Sequence, residues 1–292
     1  MQFLDVKTDF AFKKVFGSQE SKDILISFLN SVIDFGQGEK IADLTIVDPY
    51  QIPLLKGMKD SYVDVKAKLS NNKNVIIEMQ VLNVEGFEKR ILYNAAKAYS
   101  SQLMKPEAFS TLEPIIALTI TDFIMFETVD KIITYFNLIE KEKLIKYNDE
   151  IELIFIELPK FNKGEDELTS ITDKWIYFIK NAGRLEYTPK RLTEDVQIKK
   201  AFEIANTANM SKQELEVQWK QHDFILCQKG SLELALKQGL KQGLEQGLEQ
   251  GLEQGKKEKA IEIAKSLLAL RIDIERVSKV TGLTLDEIEK IK

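Results

Sequence analysis

Asp64, Glu78 and Gln80 are the residues of this chain whose types and spacing could do chemistry. They lie in two runs, Tyr62-Val63-Asp64-Val65-Lys66-Ala67-Lys68-Leu69 and Val75-Ile76-Ile77-Glu78-Met79-Gln80-Val81, with the polar stretch Asn71-Asn72-Lys73-Asn74 between them. Both runs alternate with period two, which predicts a β-hairpin. Val63, Val65, Ala67 and Leu69 share one face of the first strand, and Val75, Ile77, Met79 and Val81 one face of the second. Asp64, Glu78 and Gln80 fall on the opposite faces. Two carboxylates on paired strands, with water completing the shell, suit Mg²⁺ or Mn²⁺, since hard cations take oxygen ligands. Such an ion polarises a phosphate and lowers the pKa of an attacking water. Gln80 points the same way as Glu78 and can orient a water, but it carries no charge. Lys66 on the same face, or Lys13 and Lys14 of the first helix, would supply one.

Geometry sets a condition on this reading. Directly opposed residues of an antiparallel pair point to the same side. The two carboxylates therefore converge only across a loop of odd length, or where a bulge shifts the register. A three- or five-residue loop centred near Asn72 sets Asp64 opposite Gln80 and diagonal to Glu78. A two-residue turn sends the carboxylates to opposite faces.

The elements that must position these residues are legible from apolar spacing. Residues 9–35 are helical with a break at Gly17-Ser18, and Ile41–Val47 form a strand before the hairpin. A helix over 85–104 turns Phe87, Ile91, Ala95 and Ala98 inward, with Pro106 just past its end. Strands follow over 114–121 and 151–158. The order predicts an α/β fold, a mixed sheet flanked by helices. Residues 168–229 are helical, with Trp175, Ile176, Phe178 and Ile179 in the core.

The composition then changes. Glycine recurs at 239, 243, 247, 251 and 255 and leucine at 240, 244, 248 and 252. Interior glycines cost a helix about 1 kcal/mol each relative to alanine, a loss that a closely packed partner helix offsets. A helical arm used for self-association, coiling right-handedly, is favoured over a flexible linker. A helix over 260–270 follows, and residues 274–288 have the cadence of a helix-turn-helix. Asp286, Glu287 and Glu289 on its second helix would repel phosphates, which favours a small helical interaction module over a DNA reader. The expected domains are 1–182, the sheet body; 183–230, a helical extension; 231–258, the repeat helix; and 259–292, the small helical module.

Composition narrows the classes. With 292 residues, 44% of them apolar, the chain can bury a sizeable core, and a net charge of −5 announces no nucleic-acid footprint. One cysteine, Cys227, and one histidine, His222, exclude an intrachain disulfide, Cys/His zinc sites and Ser-His-Asp machinery. No apolar window reaches membrane-spanning length, and Met1-Gln2-Phe3-Leu4-Asp5 shows neither a basic start nor an apolar run. The expectation is a cytoplasmic protein without a membrane partner.

Several motifs together resemble one family. Asp9-Phe10-Ala11-Phe12-Lys13-Lys14-Val15-Phe16-Gly17 resembles the opening Asp-x-x-Phe-Lys-x-x-Phe-Gly signature of the Rpn recombination-promoting nucleases, the PD-(D/E)XK nuclease family transposases. Leu25–Asn30, Val63-Asp64-Val65, Ile77-Glu78-Met79-Gln80 and the stretch from Arg90-Ile91-Leu92-Tyr93 to Tyr99–Leu103 resemble its later elements, and the likeness covers about residues 5–182. It implies a restriction-endonuclease-like core and a metal-dependent DNA endonuclease that hydrolyses phosphodiester bonds in recombination, mobile DNA or phage defence. By position, Asp64 and Glu78 would ligate Mg²⁺ (or Mn²⁺), and Gln80 takes the place of the usual lysine. Asp9 would be an accessory acidic residue, and Lys13, Arg90, Tyr93 and Gln102 would support the site or the phosphate. The lead into the first strand motif is Asp60-Ser61-Tyr62-Val63, with Asp60 a surface carboxylate or a support to the site. DNA and a homo-oligomer built through the repeat are the implied partners. The missing lysine and the negative charge motivate an alternative, a catalytically degenerate nuclease-fold protein that acts as an oligomeric interaction module.

Overall fold

Alternating apolar strands make the sheet, and amphipathic helices cover both of its faces. The computed structural model describes residues 2–36, 38–51, 61–103 and 108–291, so Asp60 and Pro106 lie outside the described residues. The elements run α1 (Asp9–Phe16), α2 (Lys22–Val32), β1 (Leu44–Val47), β2 (Tyr50–Gln51), β3 (Ser61–Tyr62), β4 (Val65–Leu69), β5 (Asn74–Gln80) and α3 (Phe87–Ser100). They continue with β6 (Ile115–Thr121), β7 (Ile133–Phe136), β8 (Ile151–Glu157), α4 (Ile171–Asn181), α5 (Lys190–Thr193), α6 (Val196–Ala205), α7 (Lys212–Ala269), α8 (Ile274–Thr281) and α9 (Leu285–Glu289). Among the described residues one mixed sheet has the order β1-β4-β5-β6-β8-β7, and β2 pairs with β3 apart from it. β5, β6 and β8 are parallel, β1 and β4 extend one edge antiparallel, and β7 closes the other. The mixed sheet, its flanking helices and the helical C-terminal region agree with the apolar pattern. β7 was not anticipated, because a four-residue, half-exposed edge strand carries little periodicity.

β6 lies in the middle of the sheet and is buried along its whole length. It reads accordingly as a continuous apolar run. One face of the sheet, with Val65, Ala67, Ile77, Leu118 and Ile156, packs on Phe12, Phe16, Phe28, Trp175 and Phe178 from α1, α2 and α4. Phe16 meets Phe28 and Trp175 at centroid distances of 5.1 and 5.8 Å. The other face is covered by α3, whose Ala95 and Ala98 lie on Val63, Ile76, Ile115 and Ala117. Among the described residues no helix is long and apolar enough to cross a membrane.

The chain divides into two compact units, Met1–Gln228 and Lys229–Lys292. In the first, α6 buries Ile198, Ala201 and Phe202 in the main core. The opening turns of α7 hold α1: Thr8 donates to Gln218 at 2.7 Å, Phe10 N–H donates to Gln221 at 3.1 Å, and Lys14 pairs with Glu214 at 2.6 Å. In the second unit the rest of α7, with the repeat helical throughout, is followed by α8 and α9 around Ala264, Val277, Leu283 and Ile288. Gly282, at φ 73°, ends α8 in the left-handed conformation that glycine adopts without penalty.

α1 is also fixed from its N-terminal side. A Cβ on Gly183 would come within 2.7 Å of Asp5 Cα and 2.8 Å of Asp5 Cβ. Gly183→Ala should therefore destabilise the first unit by roughly 1–3 kcal/mol, because backbone must shift to admit one methyl group. Urea unfolding measures this, and wild-type stability in the variant would contradict the close approach.

Candidate active site

The hairpin turn decides where Asp64 goes. Leu69 N–H donates to the Lys73 carbonyl at 2.8 Å and Asn72 N–H to the Leu69 carbonyl at 3.1 Å, closing a three-residue loop. Asn72 sits in the left-handed region, φ 65°, which asparagine tolerates. The loop is odd but centred on Asn71: Val65 pairs with Ile77 and Lys66 with Ile76. One further step would set Asp64 opposite Glu78 rather than opposite Gln80. The ladder does not take that step. Asp64 N–H donates to the carbonyl of Ile77 at 3.0 Å, so two residues of one strand oppose one of the other, a β-bulge. The bulge reverses the alternation before it. Val65 and Ala67 face the aromatic core, while Val63 packs under α3 and not beside Val65 as strict period two requires. The Asp64 carboxylate turns onto the partner strand, where Oδ2 accepts from Met79 N–H at 2.7 Å.

α1 brings further charge to Asp64. Thr8 caps the helix, and Lys13 Nζ lies 2.5 Å from Asp9 and 3.7 Å from Asp64. Burial, and then a hydrogen bond and repulsion from the Asp9 carboxyl, push Asp64 up to about 7, against the pull of Met79 N–H and Lys13. Two facing carboxyls that share a proton behave this way. Burial lowers Lys13, but the bonds and charges of Asp9 and Asp64 outweigh it and hold Lys13 above its ordinary value.

Glu78 is oriented from α3. Arg90 Nη2 lies 2.5 Å from Glu78 Oε1 and 2.7 Å from Gln80 Oε1, and Asn94 Nδ2 lies 3.4 Å from Glu78 Oε2. The Arg90 guanidinium stacks 4.9 Å over the Phe87 ring, a cation–π contact that helps hold it. Burial raises Glu78 although Arg90 and Asn94 draw it down. Glu78 lines a cleft of about 650 Å³ with Tyr62, Phe87, Arg90, Tyr93 and Asn94, and neither Asp64 nor Gln80 lines it. Gln80 Nε2 donates to the Leu82 carbonyl at 2.8 Å, so both ends of its amide are engaged. The structure thus forms two carboxylate centres joined by one backbone link, since the N–H that Asp64 accepts belongs to the peptide between Glu78 and Met79. Among the described residues no three Asp, Glu, His or Cys side chains gather at one point.

The remaining expected residues divide between these centres and other work. Tyr93 lines the Glu78 cleft. Lys66 is drawn below its ordinary pKa by burial, with Asp48 as its opposing charge. Gln102 pairs with the Glu113 backbone through both ends of its amide, at 2.9 and 3.0 Å, which ties the end of α3 to the approach to β6.

Apolar periodicity missed Asn94 and Lys97, which are 1% and 3% exposed. They follow Arg90 at i+4 and i+7, a spacing that puts all three on one helix face. Lys97 Nζ lies 5.7 Å over the Tyr93 ring. Asn94 Oδ1 is buried with no hydrogen-bond partner among the described residues. Each centre therefore offers oxygen donors: Asp9 and Asp64 on the α1 side, and Glu78 with the orphan Asn94 acceptor on the α3 side. That chemistry fits a hard divalent cation.

A family model of the PD-(D/E)XK nuclease family transposase matches residues 6–233. A second, of the Rpn/YhgA-like nuclease family C-terminal HTH domain, matches residues 257–292. No curated protein and no solved structure matches the chain. The six-stranded mixed sheet with its helices is consistent with the restriction-endonuclease-like core of the first family.

The Asp9–Asp64 pairing has a consequence for stability. Between the ordinary value of 3.8 and about 7, the folded chain retains a proton that the unfolded chain has released. Stability therefore falls as pH rises through that window. Asp64→Asn keeps an acceptor for Met79 N–H and removes the charge. In a chelating buffer the variant should unfold at higher temperature than wild type at pH 8, by an amount worth about 1–2 kcal/mol, and the gap should close toward pH 4. A gap that does not change with pH would contradict the pairing.

Proposed function

This chain belongs to the PD-(D/E)XK nuclease family transposases, and from that premise we propose that it is a metal-dependent DNA endonuclease. Asp64 and Glu78 are its metal ligands, and its role lies in recombination, mobile DNA or phage defence. The observation that carries the reading is the bond from the peptide between Glu78 and Met79 to the Asp64 carboxylate, which ties the two acids to one backbone unit. Nucleases of this family typically use divalent metals. The all-oxygen set favours Mg²⁺ or Mn²⁺, held by Asp64 and Glu78 with Asp9 in support. When bound, the ion would supply Lewis acidity at the scissile phosphate and a more acidic water.

The protein's own groups do the rest. The Met79 amide holds the Asp64 carboxylate in place, and Arg90 and Asn94 orient Glu78. Gln80 stands where the family's lysine usually is, and its amide oxygen accepts from Arg90. Arg90 then provides the positive charge that the missing lysine would carry, with a planar guanidinium suited to phosphate. Lys13 offers a second cation at the Asp64 side. Tyr93 lines the cleft where a backbone would lie.

DNA is the proposed substrate, with the C-terminal helix-turn-helix as a second point of contact. The acidic residues that weigh against such contact are fewer than the sequence suggests. Glu287 caps α9 through Thr284 and pairs with Lys257 at 2.7 Å, and these bonds hold its carboxyl down at about 2. The reading takes the protein to be cytoplasmic and to assemble as a homo-oligomer through the repeat. One observation favours the degenerate alternative: each centre is already neutralised by its own cation, Lys13 or Arg90.

Plasmid cleavage separates the two readings. Purified protein with Mg²⁺ or Mn²⁺ should nick supercoiled DNA. Asp64→Ala and Glu78→Ala should each abolish nicking, and Arg90→Ala should slow it by about 10²-fold, the usual cost of removing one charge-stabilising donor. Equal cleavage by wild type and Asp64→Ala would sink the assignment. No cleavage and no calorimetric heat with either metal would support the degenerate reading.

A further inference from the structure

The repeat leaves an apolar stripe uncovered on α7. Leu240, Leu244, Leu248 and Leu252 are 74, 73, 74 and 59% exposed. Residues four apart drift about 40° round the helix at each step, so the stripe winds, and a helix that follows it coils right-handedly. One residue after the leucines, about 100° round, runs a charged series at the same spacing: Glu233, Lys237, Lys241, Glu245, Glu249, Glu253 and Lys257. Its signs invert about Glu245. Lys237 mirrors Glu253, Lys241 mirrors Glu249, and Glu233 mirrors Lys257. On the other flank of the leucines run Gly239, Gly243, Gly247 and Gly251, where an added Cβ would meet nothing within 4 Å.

We infer that this stretch of α7 docks a second copy of the chain, antiparallel, about a two-fold axis near Glu245. The inference rests on the self-association in the reading above and not on the nuclease activity. In an antiparallel pair with the leucines at the seam, the same flank of both helices meets. Charged flank then faces charged flank with lysines against glutamates in three mirrored pairs on each side of the axis, against one like-charge contact of Glu245 with its own copy at the axis, and glycine flank faces glycine flank, where the backbones can approach. Parallel in-register pairing turns each charged flank toward the partner's glycines and leaves those ion pairs unmade. A staggered parallel arrangement is heterologous and does not close on itself. Leucine burial drives the association, and the charges choose its orientation. Lys257 is held by Glu287 at 2.7 Å, so the two inner mirrored pairs carry the choice; Lys241, 3.9 Å from Glu245 on its own helix, must exchange that exposed contact for one across the seam.

Sedimentation of the full chain tests the surface, and cross-linking tests the orientation. Wild type should sediment as a dimer. Glu249→Lys with Glu253→Lys should raise the dissociation constant at least tenfold at low salt, and adding Lys237→Glu and Lys241→Glu to the same chain should restore it. In a Cys227→Ser background, copies carrying Leu240→Cys mixed with copies carrying Leu252→Cys should form disulfides between unlike copies and not between like ones. A monomeric wild type, indifference to the charge changes, or like-to-like disulfides would each overturn the inference. Plasmid nicking by the same variants reports separately on the nuclease reading.

Discussion

The hydrogen bond from Met79 N–H to the Asp64 carboxylate is the interaction on which the rest of the candidate site depends. Met79 lies in β5, between β4 and β6, and its amide needs an acceptor at the point where β4 leaves the ladder. A buried amide without a partner would cost about 1–3 kcal/mol. Asp64 supplies the acceptor from a side chain, and this lets β4 end in a bulge rather than continue past Val65. The same bulge turns Val63 under α3 and brings the carboxylate to α1. One local departure from regular pairing therefore sets the strand end, the packing of its neighbour and the surroundings of the acid.

Electrostatics on the two sides of β5 follow from that departure. Asp64 meets a like charge, Asp9, and a cation, Lys13, from a single turn of α1. Glu78 meets a cation, Arg90, and one amide, Asn94, on the α3 side, and the same guanidinium reaches Gln80. Burial raises both acids, and the charges around them differ because the helices that cover the two faces differ. Positions on α1 and α3 matter accordingly, and both helices are held firmly. α1 is clamped by the opening turns of α7 and by the close pass of Gly183 against Asp5. α3 is tied at its end by Gln102 to Glu113. Glu214, which receives Lys14 from α1, is drawn down to about 2 by that bond and by Ser211.

Much of this was legible in the residues. Period-two alternation marked the hairpin, apolar runs marked the buried strands β6 and β8, and the 3.6-residue pattern marked α1 to α4. β7 escaped because edge strands are short and half-exposed. Asn94 and Lys97 escaped because a polar stripe on a buried helix face is the inverse of the pattern that periodicity seeks. The four-residue repeat announced its own winding stripe and its charge symmetry, both of them properties of sequence order.

By itself the sequence determined most of the elements and the polar setting of Asp64, Glu78 and Gln80, and it favoured a helical tail over a flexible one. These follow from local periodicity and from the side-chain directions it imposes. Only the tertiary structure decided that Asp64 leaves the ladder, that Asp9 and Lys13 meet it, and that Arg90 stands beside Glu78 and Gln80. A bulge is one extra residue of backbone with no signature in composition. Contacts across tens of residues arise from how helices pack on a sheet, which spacing along the chain does not encode.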